Sequence, residues 1–294
     1  MLKIEHLYKS FGSTEVLKDL NLNLEAGTVF GLVGLNGAGK STLLRTIAGV
    51  YQQDAGEVLL NGQDTYVSSA ARKEIAFVAD EPFFPIGSTL STVRMMYECM
   101  YDFDAAYFEE NRKAFELDEN KPLSNFSKGM KRRVSLLFAL SIHPKLLLLD
   151  EAYDGLEPLA RLRVKRMIAE RMEEEQMAAI ISSHNLRELE DICDSYGILE
   201  NGTLSSYGDL AESKRMVNKY QIAFDTEKKR EDFDGLELLS FRNEGRVIQM
   251  VIRGEEEDVM NRLNGMKPLL LDVLPVTFEE LFLSELESRG HDHE

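Results

Sequence analysis

Cysteine is scarce in this chain: two in 294 residues, Cys99 and Cys193, each inside a helix-like stretch. That argues against a disulfide framework and fits a cytosolic setting. No apolar run approaches the roughly 18 residues needed to cross a bilayer. The opening Met-Leu-Lys-Ile-Glu lacks the apolar region of a secretion signal. Any action at a membrane is therefore expected to run through a partner. Positive charge is also short: 34 Lys and Arg stand against 51 Asp and Glu, for a formal net charge of -17. The broad basic footprint that grips a nucleic-acid backbone is missing, so no nucleic-acid partner is expected. The acidic excess reads as a solubility feature. Internal repeats, low-complexity linkers and sustained heptads are absent too.

What is present is a glycine-rich loop in a telling place. Gly34-Leu-Asn-Gly-Ala-Gly-Lys-Ser-Thr42 follows the apolar run Val29–Val33 and precedes a helix-like segment that ends at Gly49. This is a complete G-x-x-x-x-G-K-S phosphate loop between a strand and a helix. Gly34, Gly37 and Gly39 permit backbone angles and close approaches that a Cβ would forbid. Successive N–H groups from Leu35, Asn36, Ala38 and their neighbours can then wrap a phosphate at a positive helix end. Lys40 supplies a cation for the β- and γ-phosphates, and Ser41, next to Thr42, offers a hydroxyl to Mg²⁺. A nucleoside triphosphate and Mg²⁺ are the ligands this chemistry calls for.

The length suits one large or two modest domains, and the 44% apolar content is ordinary for a globular chain. Short strands are expected over 2–7 and 21–24, at 55–62, and at the apolar runs Ile75–Val78, Lys145–Leu149 and Met177–Ser182. Helices are expected between them, one opening on Pro158. Strand alternating with helix predicts an α/β fold with a largely parallel sheet. A helical subdomain is expected over about 82–140, rich in Met and aromatic residues: Phe83, Phe84, Met95, Met96, Tyr97, Met100, Tyr101 and Phe103. These suit either its core or an adaptable groove for a partner helix. A boundary is expected near residue 213, with a small α+β domain over 213–294. It has strands at 220–224, 236–241 and 247–252, a turn at Asn243-Glu-Gly245, and a capping box at Thr277-Phe-Glu-Glu280.

The second chemical element is Leu146-Leu-Leu-Leu-Asp-Glu151, an apolar strand that ends in two carboxylates, where ligands gather in a parallel sheet. Asp150 is placed to hold Mg²⁺ alongside Ser41. Glu151 is placed to orient and deprotonate the water that attacks the γ-phosphate. Just before this strand, Asn125-Phe-Ser-Lys-Gly-Met-Lys-Arg-Arg133 opens a helix, with Ser127 also suited to be a plain cap.

Phe126-Ser-Lys-Gly-Met130 resembles the Leu-Ser-Gly-Gly-Gln signature of the ATP-binding cassette, keeping the Ser and one Gly. Further matches follow in the family's order. Phe11 stands where cassettes stack an aromatic on adenine, and Ile75–Asp80 matches the strand leading to the Q-loop. Gly155-Leu-Glu-Pro158 resembles the D-loop, and Ser183-His184 ends the next apolar run, where cassettes carry a switch histidine. Over residues 1–212 the chain thus resembles an ATP-binding cassette ATPase, a P-loop NTPase. The resemblance implies catalytic roles for Lys40, Glu151 and His184. It also implies a head-to-tail dimer in which Ser127 and Gly129 of one chain meet ATP held by the other. Asp80 departs from the usual Q-loop Gln, and as a hard oxygen ligand it is expected to be metal-linked, with Glu81 as the alternative. The Asp80-Glu-Pro82 segment, the signature and the tail resemble bacterial exporters with separate ATPase and permease chains, moving peptides, antimicrobial peptides or antibiotics. Such a subunit would be cytoplasmic and peripheral on the inner face of the membrane. The rival expectation is a soluble cassette ATPase acting on ribosomes, DNA or iron–sulfur assembly. Two histidines at 291 and 293 read as part of a solvated tail rather than a metal site.

Overall fold

The computed structural model describes residues 1–153, 155–183 and 186–287. His184 and the 291–294 tail therefore lie outside the described residues. The chain divides into two compact units, Met1–Tyr207 and Gly208–Glu294.

The first unit holds two sheets. One runs β2-β1-β4-β5, from β1 (Leu2–Phe11), β2 (Thr14–Leu24), β4 (Ala55–Leu60) and β5 (Gln63–Asp64), and its paired strands are antiparallel. The other runs β10-β9-β3-β8-β7-β6. Its strands are β3 (Val29–Val33), β6 (Ile75–Val78), β7 (Leu146–Asp150), β8 (Ala178–Ser182), β9 (Ser195–Glu200) and β10 (Thr203–Asp209). From β9 through β6 the pairing is parallel. Every residue of β3, β7 and β8 is buried, which is why each reads as a continuous apolar run rather than an alternating one. Leu32, Leu43, Leu44, Leu146, Leu148 and Ile180 join the buried faces of both sheets into one core.

The helices α1 (Lys40–Ile47), α2 (Ser69–Lys73), α6 (Pro158–Glu175) and α7 (Leu186–Glu190) alternate with these strands. Pro158 occupies the first turn of α6, where its missing N–H costs nothing, and Gln176 ends that helix in a left-handed conformation. Between β6 and β7 lie α3 (Leu90–Met100), α4 (Ala105–Ala114), a 3-10 turn at Leu123–Asn125 and α5 (Lys128–Leu140). Thr89, Asp104 and Ser127 cap α3, α4 and α5 with side-chain oxygens. The aromatic residues divide by position. Tyr97 stacks on Phe138 at 4.5 Å and Phe108 packs on Phe138 at 5.0 Å, whereas Phe83, Met95, Met96 and Met100 are exposed.

The second unit is an antiparallel sheet in the order β12-β13-β11-β14, built from β11 (Val217–Ala223), β12 (Glu237–Glu244), β13 (Val247–Arg253) and β14 (Leu270–Leu274). Helices α8 (Leu210–Arg215), α9 (Glu256–Gly265) and α10 (Phe278–Glu287) accompany it. Tyr220, Ile222, Phe233, Met250, Val259 and Leu263 form its own core. At the start of α10 the Glu280 N–H donates to Thr277 Oγ1 at 3.2 Å, and the Thr277 N–H donates to Glu280 Oε2 at 3.1 Å. That is the reciprocal capping box.

Candidate functional site

Because β3, β8 and β7 are parallel neighbours, everything that leaves their C-terminal ends emerges at one edge of the sheet. The phosphate loop leaves β3, Glu151 follows β7, and Ser183 follows β8. Residues more than a hundred positions apart are thereby brought together.

The loop's glycines have physical reasons. A Cβ on Gly34 would sit 2.5 Å from the Leu199 carbonyl oxygen, so only glycine lets the loop start there. Gly39, at φ 106, turns the chain into α1 in a conformation other residues avoid. Within the loop the Ala38 N–H donates to the Leu35 carbonyl at 3.1 Å. Leu35, Asn36 and Gly37 are exposed, and Ser41 and Thr42 are half-buried on the first turn of α1.

Lys40 is only 6% exposed. Its Nζ donates to the Gly34 carbonyl at 2.6 Å and lies 3.7 Å from Glu151 Oε1. Burial lowers its pKa from the ordinary lysine value, and the attraction of Glu151 and Asp150 only partly offsets that. The ammonium is folded onto its own loop.

Asp150, 1% exposed, accepts a hydrogen bond from Ser182 Oγ at 2.8 Å through Oδ1, while its buried Oδ2 has no partner among the described residues. A buried carboxylate oxygen left unsatisfied is costly, and a hard cation is the ligand it suits. The donor set of Asp150 and the Ser41 hydroxyl therefore fits Mg²⁺. Glu151 has φ 51, a left-handed conformation unusual for a carboxylate residue. Its N–H donates to the Ser182 carbonyl at 3.1 Å, which ties it to the end of β8. Such local strain is typical of functional turns.

Phe11 ends β1, 45% exposed, with Tyr51 edge-on at 5.2 Å and Lys9 Nζ at 5.3 Å from its ring centre. Ser127 caps α5 by accepting from the Met130 N–H at 3.2 Å. Gly129 packs so tightly on Gly155 that a Cβ would come within 2.8 Å of its carbonyl oxygen. Asp80, just past the end of β6, is engaged by α5. Its carboxylate is engaged by Arg132 and lies 3.4 Å from Lys128, both on α5. Two cations of α5 therefore face the Asp80 carboxylate.

Sequence reasoning overlooked Ser182, Tyr51 and Arg132. Ser182 stands beside the Ser183-His184 pair, and its polar side chain at the end of an apolar strand was the available signal. Ser183 Oγ in turn donates to Glu188 Oε2 at 3.2 Å, and Arg161 pairs with Glu188 at 2.8 Å.

The ABC transporter family model matches residues 17–154. The chain is 30% identical to the ABC transporter ATP-binding protein YtrB of Bacillus subtilis (strain 168) over 97% of its length and 98% of that protein's. It is 31% identical to the lantibiotic transport ATP-binding protein SrtF of Streptococcus pyogenes, over 78% of this chain and all of that one (100%). A solved ATP-binding subunit of an ABC transporter superposes with a TM-score of 0.68 at 28% identity, covering 73% of this chain and 92% of the other. With the phosphate loop, Asp150 and Glu151 at one sheet edge, the chain belongs to the ABC transporter family as an ATP-binding, ATP-hydrolysing subunit.

Proposed function

We propose that this subunit powers export through a separate membrane permease, by closing head-to-tail on a second copy of itself around ATP. Cassettes of this family dimerise and work with a membrane component. The export reading and the cargo class, peptides or antibiotics, draw on the similarity to a lantibiotic transport protein. Among the described residues no helix is long and apolar enough to cross a membrane.

The observation that carries the ATPase chemistry is the meeting of Lys40 and Glu151, 3.7 Å apart, beside the buried Asp150. Loop N–H groups and Lys40 hold the phosphates, and Phe11 receives the adenine. Ser41 and Asp150 would hold Mg²⁺, which when bound screens the phosphate charge. Glu151 takes the proton of the attacking water. Ser127 and Gly129 are assigned to ATP held by the second copy. His184, outside the described residues, is assigned to the γ-phosphate by the family's order.

Affinity purification of the full chain from its native membranes tests the transport reading. An integral-membrane partner should co-purify, and vesicles containing both should move a peptide or antibiotic only with ATP. Recovery of ribosomes, DNA or an iron–sulfur assembly protein in place of a membrane partner would favour the soluble alternative.

A further inference from the structure

Asp80 follows β6 and Gly155 follows β7, and these strands are parallel neighbours in register from Ile75↔Leu146 to Val78↔Leu149. The first two turns of α5 touch both of the segments that leave them. On one face Lys128 and Arg132, four residues apart, converge on Asp80. Arg132, 0% exposed, donates through Nε and Nη2 to the Asp80 carbonyl at 3.3 and 3.1 Å and through Nη2 to its carboxylate. Lys128 Nζ lies 3.4 Å from the same carboxylate oxygen. On the adjoining face Gly129 and Arg133, again four apart, meet the other segment. Gly129 abuts the Gly155 carbonyl and Arg133 pairs with Glu157 at 3.4 Å.

We propose that Asp80 is the anion of a charge latch, closed by Arg132 and Lys128, that holds the Ser127–Gly129 turn in register with the nucleotide end of the sheet. The proposal rests on the ATPase reading above. Arg132 holds both the carbonyl and the carboxylate of Asp80, so a shift at the start of α5 loads the Asp80 segment directly. Movement of either strand-end segment is thereby passed to the turn that carries Ser127. Asp80 and Arg132 act through that turn, as positioning residues. The metal-ligand alternative needs the same carboxylate to turn from Arg132 to the metal, and the two readings predict different behaviour.

The test compares the full-length protein with Asp80→Asn, Asp80→Glu and Lys128→Gln. Amide hydrogen exchange is read without nucleotide or Mg²⁺, and a Mg²⁺ titration of ATP hydrolysis is read beside it. The latch predicts that Asp80→Asn speeds exchange in the first two turns of α5 by about tenfold while β3 and β8 stay protected. It also predicts a fall in kcat of about tenfold, with KM for ATP and the Mg²⁺ half-point each within about twofold of wild type. Asp80→Glu should restore most of the loss. Unchanged exchange, or a Mg²⁺ half-point raised about fivefold or more, overturns the latch. If Asp80→Asn does not fold, Lys128→Gln carries the test, because its 55%-exposed side chain can be replaced without opening the core. It should speed the same amides by about threefold, and no change would overturn the proposal. A wild-type protein that hydrolyses no ATP would instead strike the ATPase reading, and the exchange experiment would still judge the latch.

Discussion

Ser182 Oγ donates to Asp150 Oδ1 at 2.8 Å and leaves Oδ2 of the same buried carboxylate with no partner among the described residues. One oxygen is held by the neighbouring strand, and the other stays available. Ser182→Ala removes the donor, so a buried carboxylate loses its hydrogen bond and its orientation. The expected cost is about 1–3 kcal/mol of folding stability, measured by urea denaturation. The Mg²⁺ concentration needed for ATP binding should rise as well. Unchanged stability and Mg²⁺ dependence together would remove Ser182 from this role.

Glu151 is fixed differently. Its backbone is tied to the β8 end through the Ser182 carbonyl, and its carboxylate lies 3.7 Å from Lys40. Glu151→Gln keeps the shape and the backbone bond but cannot accept the proton of the attacking water. Hydrolysis should fall by about 10²–10⁴-fold, while ATP binding persists and the closed dimer accumulates on size-exclusion chromatography. Near-normal turnover would rule out Glu151 as the base.

The parts of this site that lie close together in the chain were readable from it, and the parts joined across the sheet were not. Val29–Val33, Leu146–Asp150 and Ala178–Ser182 announce themselves because strands buried on both faces need unbroken apolar runs. Ser127, Pro158 and Thr277 mark helix starts through purely local hydrogen bonding or ring geometry. By contrast, Ser182 meets Asp150 from 32 residues away and Arg132 meets Asp80 from 52. The first pair exists because β7 and β8 lie side by side and the second because α5 reaches the end of β6, and neither strand order nor helix docking is encoded in any short window. Asp80 illustrates the consequence. Its chemistry suits a metal, and its ion pairs with Lys128 and Arg132 of α5 are visible only in the fold. β14 (Leu270–Leu274) went unread for another reason: it is a short edge strand, mostly exposed, with no clear alternation.

Phe11 stands between Tyr51 and Lys9 at the end of β1, and its 45% exposure leaves ring surface open for a base. Phe11→Ala should weaken ATP binding by about 1–3 kcal/mol, the usual worth of base–aromatic stacking. Folding stability should barely change, because the ring contributes little to the core. Stacking tolerates any base, so GTP should lose about as much affinity as ATP. A fluorescent-nucleotide titration reads both, and equal affinity of wild type and variant would show that the base binds elsewhere.

Lys40 makes the site sensitive to alkali, and the sign follows from its burial. Desolvation lowers its pKa below the ordinary 10.5, despite the nearby carboxylates of Glu151 and Asp150. In the window between the lowered value and 10.5, the unfolded chain holds more protons than the folded one. Stability of the nucleotide-free protein therefore gains from this residue as pH rises through that window. Nucleotide binding moves the opposite way. Phosphate favours the charged ammonium, so ATP binding takes up a proton there and affinity falls as pH climbs through the free protein's Lys40 pKa. Titrations from about pH 8 upward should show this decline setting in before the ordinary lysine range. Lys40→Arg stays charged throughout and should lose the alkaline decline, even though its bulkier head binds phosphate less tightly in a loop shaped for an ammonium. An identical alkaline profile in that variant would assign the titration to another group.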